Sequence, residues 1–190
     1  IQHKDFQLYL QPKVNLEHQK VVGGEALVRW LHPKKGLVSP IDFIPILEKN
    51  GKIQKLDQYI FEQTCIWLNK RQREGKPLFP ISVNLSRKHF VHEDFLEVFV
   101  ELAEEYHIDK ELIEFELTES IFLNDEALQK VKMGIKKIHE YGFRSSIDDF
   151  GFGYSSLSLL CEFDIDSLKG IKINVLQASD IVRLFGVQIK

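Results

Sequence analysis

Residues 6–30 read FQLYLQPKVNLEHQKVVGGEALVRW and contain two apolar runs of strand length, at 6–14 and 21–28. A polar turn at 15–20 separates the two runs. Because strands so close in sequence pair antiparallel, the stretch predicts an N-terminal β-hairpin. The second strand of this hairpin carries a carboxylate, Glu25.

Beyond the hairpin, short strand-like runs alternate with longer stretches of helical periodicity. A helix is predicted from Pro40, with Ser39 as its N-cap, to Asn50. Further helices are predicted at 53–74, 93–107, 125–141 and 176–185, and further strands at 81–85, 112–117, 143–147 and 167–173. A Gly-rich loop with a short helix follows the third of these strands. Strand-helix alternation of this kind indicates an α/β fold with a parallel sheet and helical crossovers.

Composition narrows the classes of function. The chain has 190 residues, of which 25 are Lys or Arg and 28 are Asp or Glu, and its formal net charge is −3. A balanced charge of this kind does not favour a DNA or RNA polymer as partner. Two isolated cysteines, Cys65 and Cys161, predict neither a disulfide framework nor a zinc site, which fits a reducing cytoplasm.

The apolar runs and the first residue indicate how the chain relates to membranes and to a longer protein. No apolar run has the length of a membrane span, so we expect no membrane contact by this domain. The first residue is Ile, from which we expect the chain to be a piece of a longer protein.

Polar side chains recur at the carboxyl end of each predicted strand. They are, in chain order, Glu25, Asn84, Glu116, the pair Asp148-Asp149, and Lys169. In a closed parallel barrel these strand ends form one rim, where active sites lie. The residues two positions earlier share a strand face with them and are mostly small: Gly23, Ser82, Ser146 and Ser167, with Glu114 as the exception.

Carboxylates that converge without cationic partners repel one another unless a metal ion compensates their charge. Oxygen ligands alone point to Mg²⁺ or Mn²⁺ rather than zinc. The adjacent Asp148 and Asp149 suit a two-metal site that activates water against a phosphodiester. Lys169 would orient that water or stabilise negative charge near the phosphate.

Each of these residues, and two further motifs, also has a structural interpretation that involves no active site. A single Glu or Asn at a strand end is usually a loop hydrogen-bonding group, but recurrence across five strands favours a site. His89 and His92 have a spacing that could bind a metal, yet their polar surroundings predict surface residues. Gly151 and Gly153 are explained equally well by a tight turn as by a phosphate-binding loop.

Several motifs together resemble the EAL domain family, the bacterial cyclic di-GMP phosphodiesterases. They occur in the family's order between residue 6 and Lys169 and are Gln11-Pro12, Glu25-Ala26-Leu27-Val28-Arg29-Trp30, Asn84-Leu85-Ser86, Glu116-Leu117-Thr118-Glu119, Asp148-Asp149-Phe150-Gly151 and Gly153-Tyr154-Ser155-Ser156-Leu157. The resemblance implies a TIM-like (β/α)8 barrel of EAL type with an antiparallel first strand. Residues 1–190 would form one such phosphodiesterase domain, lacking the last strands of the barrel.

The resemblance also implies residue roles. Metal ligands would be Glu25, Asn84, Glu116, Asp148 and Asp149; substrate contacts would come from Gln11, Leu27, Arg29 and Asp148; and the catalytic set would be Lys169, Glu25, Asp149 and Glu119. Lys169 would contact the attacking water, and Glu119 would steady the loop after Asp149. Arg29 suits a phosphate because its guanidinium binds oxygens in pairs.

The implied activity is metal-dependent hydrolysis of cyclic di-GMP to linear pGpG in bacterial signalling, with two Mg²⁺ or Mn²⁺ ions. Homodimers and attachment to other signalling domains are also implied. The family's later Glu-Gly-Val-Glu segment and Gln-Gly motif are absent from the chain, and Phe152 stands where Thr is usual. The alternatives are an inactive domain that binds cyclic di-GMP or a protein partner, and a barrel acting on another phosphoester.

Overall fold

The computed structural model describes residues 5–118 and 125–148, which contain six strands, four α-helices and two short 3₁₀ helices. The strands are β1 (Phe6–Asn15), β2 (Lys20–His32), β3 (Gly36–Val38), β4 (Ile81–Asn84), β5 (Ile113–Thr118) and β6 (Arg144–Asp148). The α-helices are α1 (Pro40–Lys49), α2 (Ile53–Arg73), α3 (Glu97–Glu105) and α4 (Asp125–Glu140). The 3₁₀ helices are Arg87–Val91 and Lys110–Leu112.

All six strands belong to one sheet. Five of them have the order β1-β2-β4-β5-β6, and β3 pairs with the C-terminal end of β2, at residues 30–32. β1 runs antiparallel to β2, which confirms the predicted hairpin. The pairs β2-β4, β4-β5 and β5-β6 are parallel, as the strand-helix alternation predicted. Over the described ranges the sheet is open, with β1 and β6 at its edges. The predicted strand at 167–173, the helix at 176–185 and the Gly-rich loop lie outside the described residues.

One face of the sheet packs against the helices to form the hydrophobic core. Phe61 of α2 stacks on Phe115 of β5, with ring centroids 5.7 Å apart, and Phe99 of α3 lies 5.3 Å from Phe115. Phe143, just before β6, extends this aromatic cluster to the next strand at 5.2 Å from Phe115. The core therefore fixes the positions of the parallel strands relative to one another.

The helices follow the predictions with three differences. Ser39 is the N-cap of α1 and Pro40 its first residue, although the Ser39 side chain makes no capping hydrogen bond. The predicted helix at 93–107 is shorter, and α3 covers Glu97–Glu105 only. The 3₁₀ helix Arg87–Val91 was not predicted; it begins where the Ser86 hydroxyl accepts the Lys88 N–H.

Across the described part of the chain, none of the helices combines the length and the apolar character needed to cross a lipid bilayer.

Candidate functional site

Register and side-chain alternation bring the predicted rim residues to one face of the sheet. Side chains two residues apart on a strand, and those directly paired across strands, lie on the same face. The pairs are Gln11 with Glu25, Glu25 with Ser82, Asn84 with Glu116, Glu116 with Ser146, and Thr118 with Asp148. This polar face is the one opposite the aromatic core.

The polar face is graded in depth. Ser82, Glu114, Glu116 and Ser146 are buried, with exposures of 2%, 4%, 7% and 7%. Asn84, at the last position of β4, is exposed, and Glu25 is half-buried. Ser82 and Ser146 lie on the same face as the rim residues, one alternation earlier on their strands, as the sequence indicated. Glu114, a buried carboxylate, is the expected exception.

Glu116 has a cationic partner that sequence reasoning missed. Lys13 of β1 reaches across the sheet face, and its Nζ lies 2.7 Å from Glu116 Oε1 and 2.8 Å from Ser82 Oγ. Lys13 pairs with Gly23 in the hairpin, where a Cβ would lie 3.1 Å from the Pro80 carbonyl oxygen and in ordinary contact with Lys13 at 3.8 Å. The expectation that the converging carboxylates have no cationic partner is therefore wrong for Glu116.

The second oxygen of Glu116 is in a different situation. Its Oε2 atom is buried and has no hydrogen-bond partner among the described residues, and neither has Ser146 Oγ on the paired strand. A buried carboxylate oxygen without a donor is costly, and a bound cation removes that cost. Together with the oxygens of Glu25 and Asn84, this donor set fits Mg²⁺ or Mn²⁺.

Within the described ranges, the candidate metal site does not consist of acidic side chains alone. No group of three or more His, Cys, Asp or Glu side chains placed to hold a metal is found there. The donor set on the polar face instead includes the amide of Asn84. The backbone of Asp148 lies at the paired position next to Thr118, and its side chain lies outside the description.

A cavity of about 270 Å³ opens beside the exposed end of this face. Leu27 and Arg29 of β2, Asn84 and Thr118 line it on the strand side, and residues of α1 and α2 close the other side. Its volume is just below the usual range for small-molecule pockets, about 300–1,000 Å³. The Arg29 guanidinium donates from Nη1 to the Val28 carbonyl at 2.9 Å and lies 5.9 Å from the Tyr9 ring centroid.

The structure thus brings together six of the ten predicted site residues on one sheet face by their backbone positions. They are Gln11, Glu25, Leu27, Arg29, Asn84 and Glu116, with Asp148 placed by its backbone alone. Glu119, Asp149 and Lys169 lie outside the described residues. Their predicted roles stay predictions.

The prediction that both histidines lie on the surface is wrong for His89. His92 is exposed, whereas His89 is 1% exposed, and its Nε2 lies 3.1 Å from Oδ2 of Asp57. Asp57, on α2, also lines the cavity. The sequence signal was weak because the partner lies 32 residues away, on a different helix.

Comparison with known proteins adds a family to this geometry. The sequence matches the family described as the EAL domain over residues 1–181. It is 34% identical over 164 residues to the cyclic di-GMP phosphodiesterase PA2567 of Pseudomonas aeruginosa, covering 86% of this chain and 27% of that protein. It is also 34% identical to the signaling protein YkoW of Bacillus subtilis, covering 89% of this chain and 21% of that protein. The chain spans about a quarter of the length of these curated relatives.

Solved structures with the same fold include the PaMucR phosphodiesterase in complex with c-di-GMP, with a TM-score of 0.75, 27% identity and coverage of 98% of this chain and 80% of that one. The EAL enzyme Bd1971 bound to cAMP and cyclic di-GMP has a TM-score of 0.73 and 31% identity, covering 97% of this chain and 53% of that one. Over the described residues, the open sheet with its antiparallel first strand is thus part of a TIM-like barrel of EAL type. On the family match and these relatives, the chain belongs to the EAL domain family.

Proposed function

We propose that this chain hydrolyses one phosphodiester bond of cyclic di-GMP to give linear pGpG, with Mg²⁺ or Mn²⁺ bound at the polar sheet face. The observation that carries the proposal is the convergence of Glu25, Asn84 and Glu116 on that face, with Glu116 Oε2 buried and without a hydrogen-bond partner among the described residues. A relative named as a cyclic di-GMP phosphodiesterase supports the choice of substrate.

The proposed ligands are Glu25, Asn84, Glu116 and Asp148 for one ion, with Asp148 and Asp149 reaching a second. When bound, such ions make water a nucleophile near neutral pH and neutralise charge on the phosphate. Lys13 keeps Glu116 Oε1 occupied, which leaves Oε2 as the atom available to a ligand. The protein therefore presents a defined oxygen of Glu116 instead of a freely rotating carboxylate.

The remaining roles concern the substrate. Arg29 lies at the cavity beside Asn84, where its guanidinium can bind a phosphate through two parallel hydrogen bonds. Gln11 and Leu27 would contact the substrate from the same face. Lys169 would hold the attacking water, whose oxygen forms a bond to phosphorus as the bond from phosphorus to the ribose 3′ oxygen breaks. The leaving oxygen takes up a proton and becomes the free 3′ hydroxyl of pGpG.

Partners and location are proposed on the family resemblance alone. They are homodimer formation, attachment to further signalling domains, and a place in the bacterial cytoplasm.

The test is formation of pGpG from cyclic di-GMP by the purified full-length protein with Mg²⁺ or Mn²⁺, and its loss when a chelator is added. A titration with cyclic di-GMP in Ca²⁺ on the same sample measures binding separately from turnover. Metal-dependent pGpG supports the proposal. Binding without pGpG in any metal would replace it with the receptor function, and absence of both would overturn it.

A further inference from the structure

Asp57 and His89 form a buried polar pair beside the candidate site that the proposed chemistry does not use. The His89 ring is 1% exposed and the Asp57 side chain 9% exposed. His89 packs between the aromatic rings of Phe95 and Phe99, at centroid distances of 6.1 and 5.3 Å. The ring is thereby held in one orientation, with Nε2 directed at the Asp57 carboxylate.

The same Asp57 oxygen holds the chain directly after β4. Oδ2 of Asp57 accepts the backbone N–H of Ser86 at 3.0 Å and lies 3.1 Å from His89 Nε2. Because Nε2 faces this carboxylate, the ring proton is assigned to it, so that Nε2 donates. Ser86 is two residues beyond Asn84, and the intervening Leu85 N–H donates to the Glu116 carbonyl at 2.9 Å. The end of β4 is therefore fixed on one side by β5 and on the other by α2.

Burying this carboxylate has an energetic cost. Desolvation raises the pKa of Asp57, and the hydrogen bond and charge of His89, with the Ser86 N–H, act in the opposite direction. In some proteins, buried charged groups are retained because their hydrogen bonds specify one local structure. Here the structure that they fix is the strand end that carries Asn84.

We propose that Asp57 and His89 are positioning residues that hold Asn84 in place for metal binding. Asp57 would do so through its hydrogen bond to the Ser86 N–H, and His89 by orienting the Asp57 carboxylate. This inference rests on the proposed function, since it assumes that Asn84 is a ligand. Residues that orient a metal ligand from behind typically contribute tenfold to hundredfold to metal affinity.

At each of the two positions, one variant removes the hydrogen bond and a second variant keeps it, so that the effect of the hydrogen bond can be distinguished from other effects of the substitution. His89→Leu removes the donor, whereas the amide of His89→Gln can still donate to Asp57. Asp57→Ala removes the acceptor, whereas Asp57→Asn can still accept the Ser86 N–H. Gln54→Ala is the matched control, because Gln54 joins α2 to the same segment through the Lys88 carbonyl at 3.0 Å and not through the Ser86 N–H.

The experiment measures two quantities on the full-length protein and these variants, each checked for a cooperative unfolding transition. The first is hydrogen exchange at the Ser86 amide, and the second is the dissociation constant for Mn²⁺ without substrate. We expect His89→Leu and Asp57→Ala to speed exchange at Ser86 and to weaken Mn²⁺ binding about tenfold to hundredfold. His89→Gln, Asp57→Asn and Gln54→Ala should stay within about threefold of the wild type in both.

Outcomes separate the two proposals. If the wild type binds Mn²⁺ and folded His89→Leu binds it equally well, the positioning role is wrong and the proposed function stands. If hydrogen exchange at Ser86 is unchanged in both disruptive variants, the proposal that Asp57 and His89 hold the backbone at Ser86 is wrong. If neither disruptive variant folds, Mn²⁺ binding weakened about tenfold or more in folded His89→Gln or Asp57→Asn overturns the role, because both variants keep the hydrogen bonds to which it is assigned. If the wild type binds no Mn²⁺, the proposed function fails and the inference fails with it.

Discussion

Lys13 Nζ lies 2.7 Å from Glu116 Oε1, across a sequence separation of 103 residues, while Glu116 Oε2 is buried without a hydrogen-bond partner among the described residues. The lysine side chain is 42% exposed and the glutamate side chain 8% exposed. The contact therefore joins a partly hydrated cation to a buried carboxylate. It supplies part of the charge that a metal ion would otherwise have to supply alone.

Replacing Lys13 with Met should destabilise the metal-free protein by about 1–2 kcal/mol, because Glu116 then loses its hydrogen-bonded partner. Adding Mn²⁺ should raise the unfolding temperature of Lys13→Met by more than it raises that of the wild type. Thermal unfolding with and without Mn²⁺ measures both effects. Lys34→Met, at an exposed turn, is the control and should behave as the wild type. An equal shift with Mn²⁺ in Lys13→Met and the wild type would contradict the account.

Glu25→Ala should lower the rate of pGpG formation by about 100-fold or more while leaving the protein folded. The reason is that Glu25 is half-buried on the polar face and contributes no side chain to the aromatic core. The assay is pGpG formation at saturating Mn²⁺, alongside thermal unfolding. Glu97→Ala, on α3, is the matched control. Turnover retained in folded Glu25→Ala would reject the role assigned to Glu25.

How far the sequence predicts the fold depends on the range of the contacts. The hairpin and the parallel strands were predicted because they are encoded by local apolar periodicity. β3 was missed since three residues, Gly36–Val38, are too few to show a period. The rim residues could be placed on one face because strand alternation fixes the face once the strands are known.

Contacts between distant elements could not be predicted in the same way. Lys13 stands beside the Gln11-Pro12 motif, yet only the register with Gly23 shows that its side chain crosses the polar face. His89 was misassigned because its sequence neighbours Lys88 and His92 are polar and exposed, whereas its partner lies on α2. The rings of Phe95 and Phe99 that bury it come from the following segment.

His139 should make stability depend on pH. Burial lowers the pKa of His139, and its Nε2 lies 2.8 Å from Ser145 Oγ. Since the folded pKa is below the unfolded value near 6.5, the unfolded state binds more protons between the two, and stability falls as pH falls through that range. Urea unfolding at about pH 7.5 and about pH 5 should show a smaller loss for His139→Gln than for the wild type. His18→Gln, at an exposed turn, should match the wild type.

An equal loss of stability in His139→Gln and the wild type would contradict the assigned burial of His139.

Cys65 should be unreactive in the folded protein. Burial, with a smaller contribution from the charge of Glu62, raises the pKa of the Cys65 thiol to about 12. At about pH 8 only about one molecule in 10,000 then carries the reactive thiolate. With Cys161 replaced by Ser, a thiol reagent should label Cys65 rapidly in concentrated urea and very slowly without it. Rapid labelling of the native protein would show that the core between α2 and the sheet opens readily.

Both the proposed activity and the positioning role of Asp57 and His89 require a divalent cation at the polar sheet face. The most direct measurement is an anomalous difference map from crystals of the full-length protein grown with Mn²⁺. We expect a peak about 2.0–2.2 Å from Glu116 Oε2 and from side-chain oxygens of Glu25 and Asn84, the usual distance for small divalent ions with oxygen ligands. A map with no peak at these three residues, at a Mn²⁺ concentration that supports pGpG formation, would contradict it.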